Sequence, residues 1–170
     1  MDKRVLGKSG IEVSAIGMGC MGLTHASGDP LPDDEAIRVI RAAYEMGYTF
    51  FETAECYVGT RPDGTIARNE DVVGAALEPV RDEVVIATKF GVQHNPDTTL
   101  SVDSRPKTIR AALEGSLRRL RTDHVDLYYQ HRIDPEVEPE VVAGVMADLI
   151  KEGKVRAWGI SEATEDYLRR

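Results

Sequence analysis

Residues 16–23 read Ile-Gly-Met-Gly-Cys-Met-Gly-Leu, and the glycines at 17, 19 and 22 repeat the G-x-G-x-x-G spacing of dinucleotide-binding loops. In such a loop the third glycine opens a helix whose N-terminus meets the pyrophosphate. Here Gly22 is followed by "LTHASGDPLP", in which Gly28, Pro30 and Pro32 delay any helix until Asp33. No strand-ending acid stands about twenty residues past the motif, where a ribose-binding carboxylate belongs. The stretch therefore reads as a turn at a strand end, with small residues for close approach. A ligand can still lie against it, because small residues at the C-terminal end of a parallel strand line the usual pocket of α/β folds.

Upstream, residues 4–6 and 12–16 around Gly7-Lys-Ser-Gly10 predict a hairpin, so that residues 1–16 form an N-terminal unit. Downstream, strands and helices alternate. Asp33-Asp-Glu35 starts a helix whose apolar residues Ala36, Ile37, Ile40, Ala43 and Tyr44 recur at helical spacing, and Gly47 stands at its C-cap. "YTFFET" (48–53) is a strand, followed by a polar loop with Pro62-Asp-Gly64 and a helix capped by Asn69 that ends before Pro79. "EVVIATKF" (83–90) is a β-branched run suited to a strand covered on both faces. Ile109, Ala112, Leu113, Ser116, Leu117 and Leu120 form one helical stripe, with Arg118, Arg119 and Arg121 read as its solvated side. "HVDLYYQH" (124–131), a helix carrying Val141, Val142, Val145, Met146, Leu149 and Ile150 and closed by Gly153, and "VRAWGIS" (155–161) complete the series. Thr164 then caps a last helix.

This alternation predicts one α/β domain over residues 1–170 with a parallel sheet. Five strands in this length suit a doubly wound, flavodoxin-type sheet. The stop at Arg170 inside a helix suits instead part of a longer barrel, for which eight units and roughly 250 residues are typical.

Composition narrows function. The chain has 170 residues, 42% hydrophobic, with 29 acidic against 21 basic residues and a net charge of −8. That balance argues against nucleic acid or an anionic membrane as partner. Two cysteines without a C-x-x-C, a polar N-terminus and no long apolar run point to the reducing cytoplasm. The four histidines, at 25, 94, 124 and 131, share no metal-ligand spacing, so no metal is expected.

Reactive side chains gather at strand ends: Glu52, Lys89 and His131, with Tyr57 in the loop after Glu52. Right-handed crossovers place all these ends on one face. The set suits carbonyl reduction, in which charge developing on oxygen must meet a proton donor and preorganised hydrogen bonds. A Lys⁺ beside the phenol is expected to lower its pKa, Glu52 to hold that lysine, and His131 to orient the substrate oxygen. Cys56 lies close to this pocket and reads either as an oxidisable thiol or as apolar filler.

"GYTFFETAECY", "VVIATKFG", "VDLYYQHR" and "GKVRAWGISEA" together resemble the aldo-keto reductase superfamily over essentially the whole chain. The resemblance implies a (β/α)8 TIM-type barrel, with this chain covering about the first five βα units after the hairpin. It further implies an NADPH-dependent oxidoreductase reducing aldehydes and ketones, with Tyr57 as general acid, Lys89 as its activator and His131 as the orienting residue. Ser161 and Glu162 stand where that family binds the nicotinamide carboxamide, and Gly19, Cys20 and Met21 resemble its first-strand cofactor contact, with Glu52 nearby. Two departures stand out. The family carboxylate is usually aspartate, and the extra methylene of Glu52 is expected to displace the Tyr57–Lys89 pair by about an ångström, a shift worth roughly a hundredfold in rate. The family's last three strands are absent, which implies self-association or completion by the C-terminal half, because a part-barrel bares two sheet edges. The alternative is a non-catalytic or truncated NADPH-binding regulatory subunit.

Overall fold

A computed structural model describes residues 1–95, 97 and 99–170. The chain opens with the antiparallel pair β1 (Lys3–Val5) and β2 (Glu12–Ser14), joined through Gly7 and Gly10 at φ +53° and +72°. Then follow β3 (Met18–Gly19), α1 (Asp33–Glu45) and β4 (Phe50–Glu52). After these come β5 (Val58–Thr60), β6 (Ile66–Arg68), α2 (Asn69–Leu77), β7 (Val85–Phe90), β8 (Val92–His94) and β9 (Leu100–Val102). The remainder is α3 (Pro106–Leu120), β10 (Val125–Gln130), α4 (Pro139–Lys151), β11 (Val155–Ile160) and α5 (Glu165–Arg169).

The central sheet is fully parallel and runs β3-β4-β7-β10-β11, in chain order without reversal. A doubly wound sheet reverses direction at its switch point and carries helices on both faces. Here the described helices α1 to α4 share a single core with one face, formed by residues such as Ile40, Phe51, Val73, Ile86, Leu113 and Met146. The flavodoxin-type arrangement is thereby excluded. The opposite face is a separate, smaller cluster in which Ile11 and Val13 of the hairpin segment meet Val85, Ala87 and Leu127. Ser14 and Thr49 lock that hairpin to the sheet through reciprocal bonds, each backbone N–H to the other's hydroxyl, of 2.9 and 3.0 Å.

Strand parity decides what faces what. On β7 every residue is buried, with Ile86 and Phe90 turned to the helices and Val85 and Ala87 to the inner cluster. Lys89 follows them in the inner column. Burying side chains such as Phe51 and Ile86, both fully covered, stabilises the fold by about 1.5–3 kcal/mol each.

Several expectations change. The segment with Pro62-Asp-Gly64 is the hairpin β5–β6, whose turn is held by the Asp63 carboxylate, which accepts from the Thr65 N–H at 2.9 Å and hydroxyl at 2.6 Å. Asn69 is the first helical residue and does not cap α2: its side chain turns inward, 1% exposed, because buried partners offer it more than the helix end. Arg119 is not on a solvated face, since its Nε donates at 2.6 Å to the buried carboxylate of Glu70. Val141 and Ile150 lie at the edge of the α4 stripe, 43% and 39% exposed. Gly47 does end α1 in the left-handed region, at φ +92°, and the Thr164 hydroxyl accepts from the Tyr167 N–H at 3.2 Å.

Candidate active site

Each strand end delivers one group to the same rim of the sheet. β4 ends at Glu52, and the turn after it closes with the Tyr57 N–H on the Ala54 carbonyl at 3.1 Å. That turn swings the phenol back over the sheet, and the Asn69 N–H, at 2.9 Å from the Tyr57 carbonyl, pins it there. β7 brings Lys89 alongside. Its ammonium donates to the Tyr57 hydroxyl at 2.7 Å and to the Thr53 carbonyl at 3.0 Å, and forms an ion pair with Glu52. His131 follows the last residue of β10, its N–H on the Phe90 carbonyl at 3.1 Å, and meets the Tyr57 ring edge-on at 5.7 Å between centroids. Tyr57, Lys89 and His131 are all buried, whereas the Glu52 side chain stays 29% exposed. The longer carboxylate of Glu52 has not separated the Tyr57–Lys89 pair, which makes a short hydrogen bond.

Burial dominates the electrostatics. It draws Lys89 down from 10.5 to about 7, with Arg132 adding repulsion. The carboxylate of Glu52 opposes this, because an adjacent opposite charge favours the ammonium. The Tyr57 phenol is pushed up, first by burial and then by Cys56, against an opposing pull from Arg132. Loss of hydration is the first cause, so the phenol moves opposite to the lowering expected from Lys89. His131 is lowered to about 4, by burial first and by Lys89 second, so at neutral pH it is an uncharged imidazole. Together these groups offer a neutral phenol proton, a cation able to stabilise the phenolate left behind, and a neutral ring able to donate one N–H.

The expected cofactor contacts divide. A hollow of about 400 Å³ on the inner face is lined by Gly17, Gly19, Glu52, Lys89, Tyr129 and Ser161. A Cβ on Gly17 would lie 2.8 Å from the Phe50 ring, too close without a shift, whereas one on Gly19 would make an ordinary contact 3.8 Å from a Glu52 carboxylate oxygen. The side chain of Cys20 points the other way, fully buried in the helix-side core, while its backbone N–H bonds the Glu52 carbonyl at 2.8 Å. Met21 is 37% exposed in the turn after β3. Glu162, at φ +55°, pairs with Arg132 at 3.2 Å beside Ser161. Another hollow, of about 530 Å³, is lined by Glu55, Gln93, Asp103 and Arg105 but not by Tyr57 or Lys89.

Three contributors carry no sequence signal. Asn69 joins Thr53, Cys20 and Thr24 through its side chain. Arg132 ties His131 to Ser161 through bonds of 2.7 Å to the His131 carbonyl and 3.4 Å to the Ser161 hydroxyl. The His25 ring stacks with that of Tyr57 at 6.0 Å between centroids and meets that of His94 at 4.7 Å. Among the described residues no group of three or more His, Cys, Asp or Glu side chains is gathered as a metal cluster would require.

Residues 15–170 match the family described as "Aldo/keto reductase family". A probable aldo-keto reductase from Glycine max is 43% identical over 166 residues, which cover 97% of this chain and 46% of that protein. The chain thus spans about half the length of this curated relative. Among solved structures, an aldo-keto reductase from Bacillus halodurans in its holo form superposes with a TM-score of 0.84 at 31% identity, over 99% of this chain and 53% of that one. A glycerol dehydrogenase from Gluconobacter oxydans gives 0.76 at 30% identity, over 94% and 48%. The solved neighbours are TIM-type barrels, and the unreversed five-strand order here is the matching part of that fold.

Proposed function

Because the chain belongs to the aldo-keto reductase family, whose members are oxidoreductases, we propose that its protein reduces aldehydes and ketones to alcohols with NADPH as hydride donor. The observation that carries this reading is the 2.7 Å bond from the Lys89 ammonium to the Tyr57 hydroxyl, beside a neutral His131. The glycine-lined hollow suits a flat ring pressed against backbone, with Ser161 on its polar rim and Glu162 next in the chain. When bound there, a reduced nicotinamide supplies a hydride to the carbonyl carbon. Tyr57 gives its proton to the carbonyl oxygen as negative charge builds there. Lys89, held by Glu52, stabilises the resulting phenolate, and His131 donates an N–H that fixes the oxygen between ring and phenol.

The assembly of all four side chains argues against a non-catalytic subunit. The partner is a small carbonyl compound, with neither nucleic acid nor membrane implied by a net charge of −8. Among the described residues no helix is long and apolar enough to cross a membrane, and the two free thiols suit the cytoplasm.

The test is Tyr57→Phe in the intact protein. It should lower kcat for aldehyde reduction by about 10²–10⁴-fold while leaving the thermal midpoint within a few degrees. Turnover retained within tenfold removes Tyr57 from the acid role.

A further inference from the structure

Cys56 precedes the phenol in the same turn, and its sulfur lies 3.4 Å from Nδ1 of His131. It is 9% exposed, in a small cluster with Ala54, Tyr57 and Val92. Apolar filling explains the burial of a thiol in that cluster, but not its placement on a ring nitrogen. Among the described residues, the sulfur is the sole hydrogen-bond partner of either ring nitrogen of His131.

A neutral imidazole carries one proton, and the bond made at one nitrogen decides which nitrogen holds it. A thiol is a weak donor and a weaker acceptor, so S–H to Nδ1 is the favoured sense of this contact. With Nδ1 accepting, the ring proton sits on Nε2. We propose that Cys56 is a positioning residue: its S–H occupies Nδ1 of His131 and so holds the ring in the tautomer that presents Nε2–H to the substrate oxygen.

The geometry couples two tasks in one short segment. The turn that aims the Tyr57 hydroxyl at the reacting oxygen also carries the group that sets the second donor to that oxygen. This inference rests on the carbonyl-reductase reading for its purpose, but the tautomer is measurable without turnover. Burial, which pushes the thiol up to about 12, keeps the S–H intact across the working range of pH.

The experiment is long-range ¹H–¹⁵N correlation on the intact protein labelled at histidine, with neither cofactor nor substrate added, for wild type, Cys56→Ser and Cys56→Ala. The wild type should show His131 protonated on Nε2, and Cys56→Ser should retain that state because a hydroxyl donates in the same place. Cys56→Ala should show both tautomers, with kcat/KM for an aldehyde reduced about tenfold, or about 1.4 kcal/mol, while the serine variant stays close to wild type. Should the alanine variant fail to fold, Cys56→Val replaces it, filling the volume without a donor. A wild-type ring protonated on Nδ1, or a donor-free variant with the wild-type tautomer, overturns the proposal. Absence of aldehyde turnover in a wild type that shows the expected tautomers would instead count against the reductase reading alone.

Discussion

Replacing Asn69 by alanine tests how the site is held. Its Oδ1 accepts from the Thr53 hydroxyl at 2.6 Å, and its Nδ2 donates at 2.8 Å to both the Cys20 carbonyl and the Thr24 hydroxyl. After truncation the Cys20 carbonyl keeps the Leu23 N–H at 3.0 Å and Thr24 keeps a long contact to the Tyr57 carbonyl, so neither is orphaned. The Thr53 hydroxyl, fully buried, is left without a partner. One orphaned buried group costs about 1–3 kcal/mol and two further lost bonds about 0.5–1.5 each, which gives about 4 kcal/mol at the centre of the range. At about 2–4 °C per kcal/mol for a chain of this size, the thermal midpoint should fall by about 8–16 °C. Adding Thr53→Val removes the orphan and should recover about 1 kcal/mol, a coupling that a double-mutant cycle followed by circular dichroism can resolve. A fall below about 2 °C in the single variant, or no recovery in the double, refutes the accounting.

Three more outcomes follow from the same structure. Burial lowers Lys89 while the Glu52 carboxylate beside it favours the ammonium, so the proton is lost above neutrality, and Tyr57 then loses the cation that stabilises its phenolate. Aldehyde reduction in the intact protein should therefore decline on the alkaline side of neutrality, and a kcat that is flat between about pH 6 and about pH 9 would contradict this. Gly74→Ala should cost about 1–3 kcal/mol by urea unfolding, because the added methyl would lie 2.3 Å from the Arg119 carbonyl and force α2 and α3 apart. Gly144→Ala, with nothing within 4 Å of its added methyl, should be neutral or stabilising.

Long periods were readable in the sequence because one physical cause writes them. The stripe from Ile109 to Leu120 and the buried run on β7 repeat a single environment over many residues. The placement of Glu52, Tyr57, Lys89 and His131 on one rim followed from chain topology, which needs no knowledge of side-chain contacts. What could not be read depends on partners far along the chain. Asn69 looks like a cap locally, and its inward turn is decided by Thr53 and Cys20. Arg119 looks solvated beside Arg118, until Glu70 of α2 offers a buried carboxylate. The hairpins β5–β6 and β8–β9 have strands of three residues, too short for alternation to stand out from a loop. The upward direction at Tyr57 is illegible in the sequence for a related reason: proximity of charges is visible in a motif, and loss of water is not.

The opening hairpin has an effect at a distance. Ile11 and Val13 lie against Val85 and Ala87, the two residues beneath Lys89 in the inner column of β7. They lay an apolar floor across the inner column below the amine. Burial is the first cause of the weakened grip of Lys89 on its proton, ahead of the repulsion from Arg132, so enclosure bears on this proton more than any neighbouring charge that lowers it.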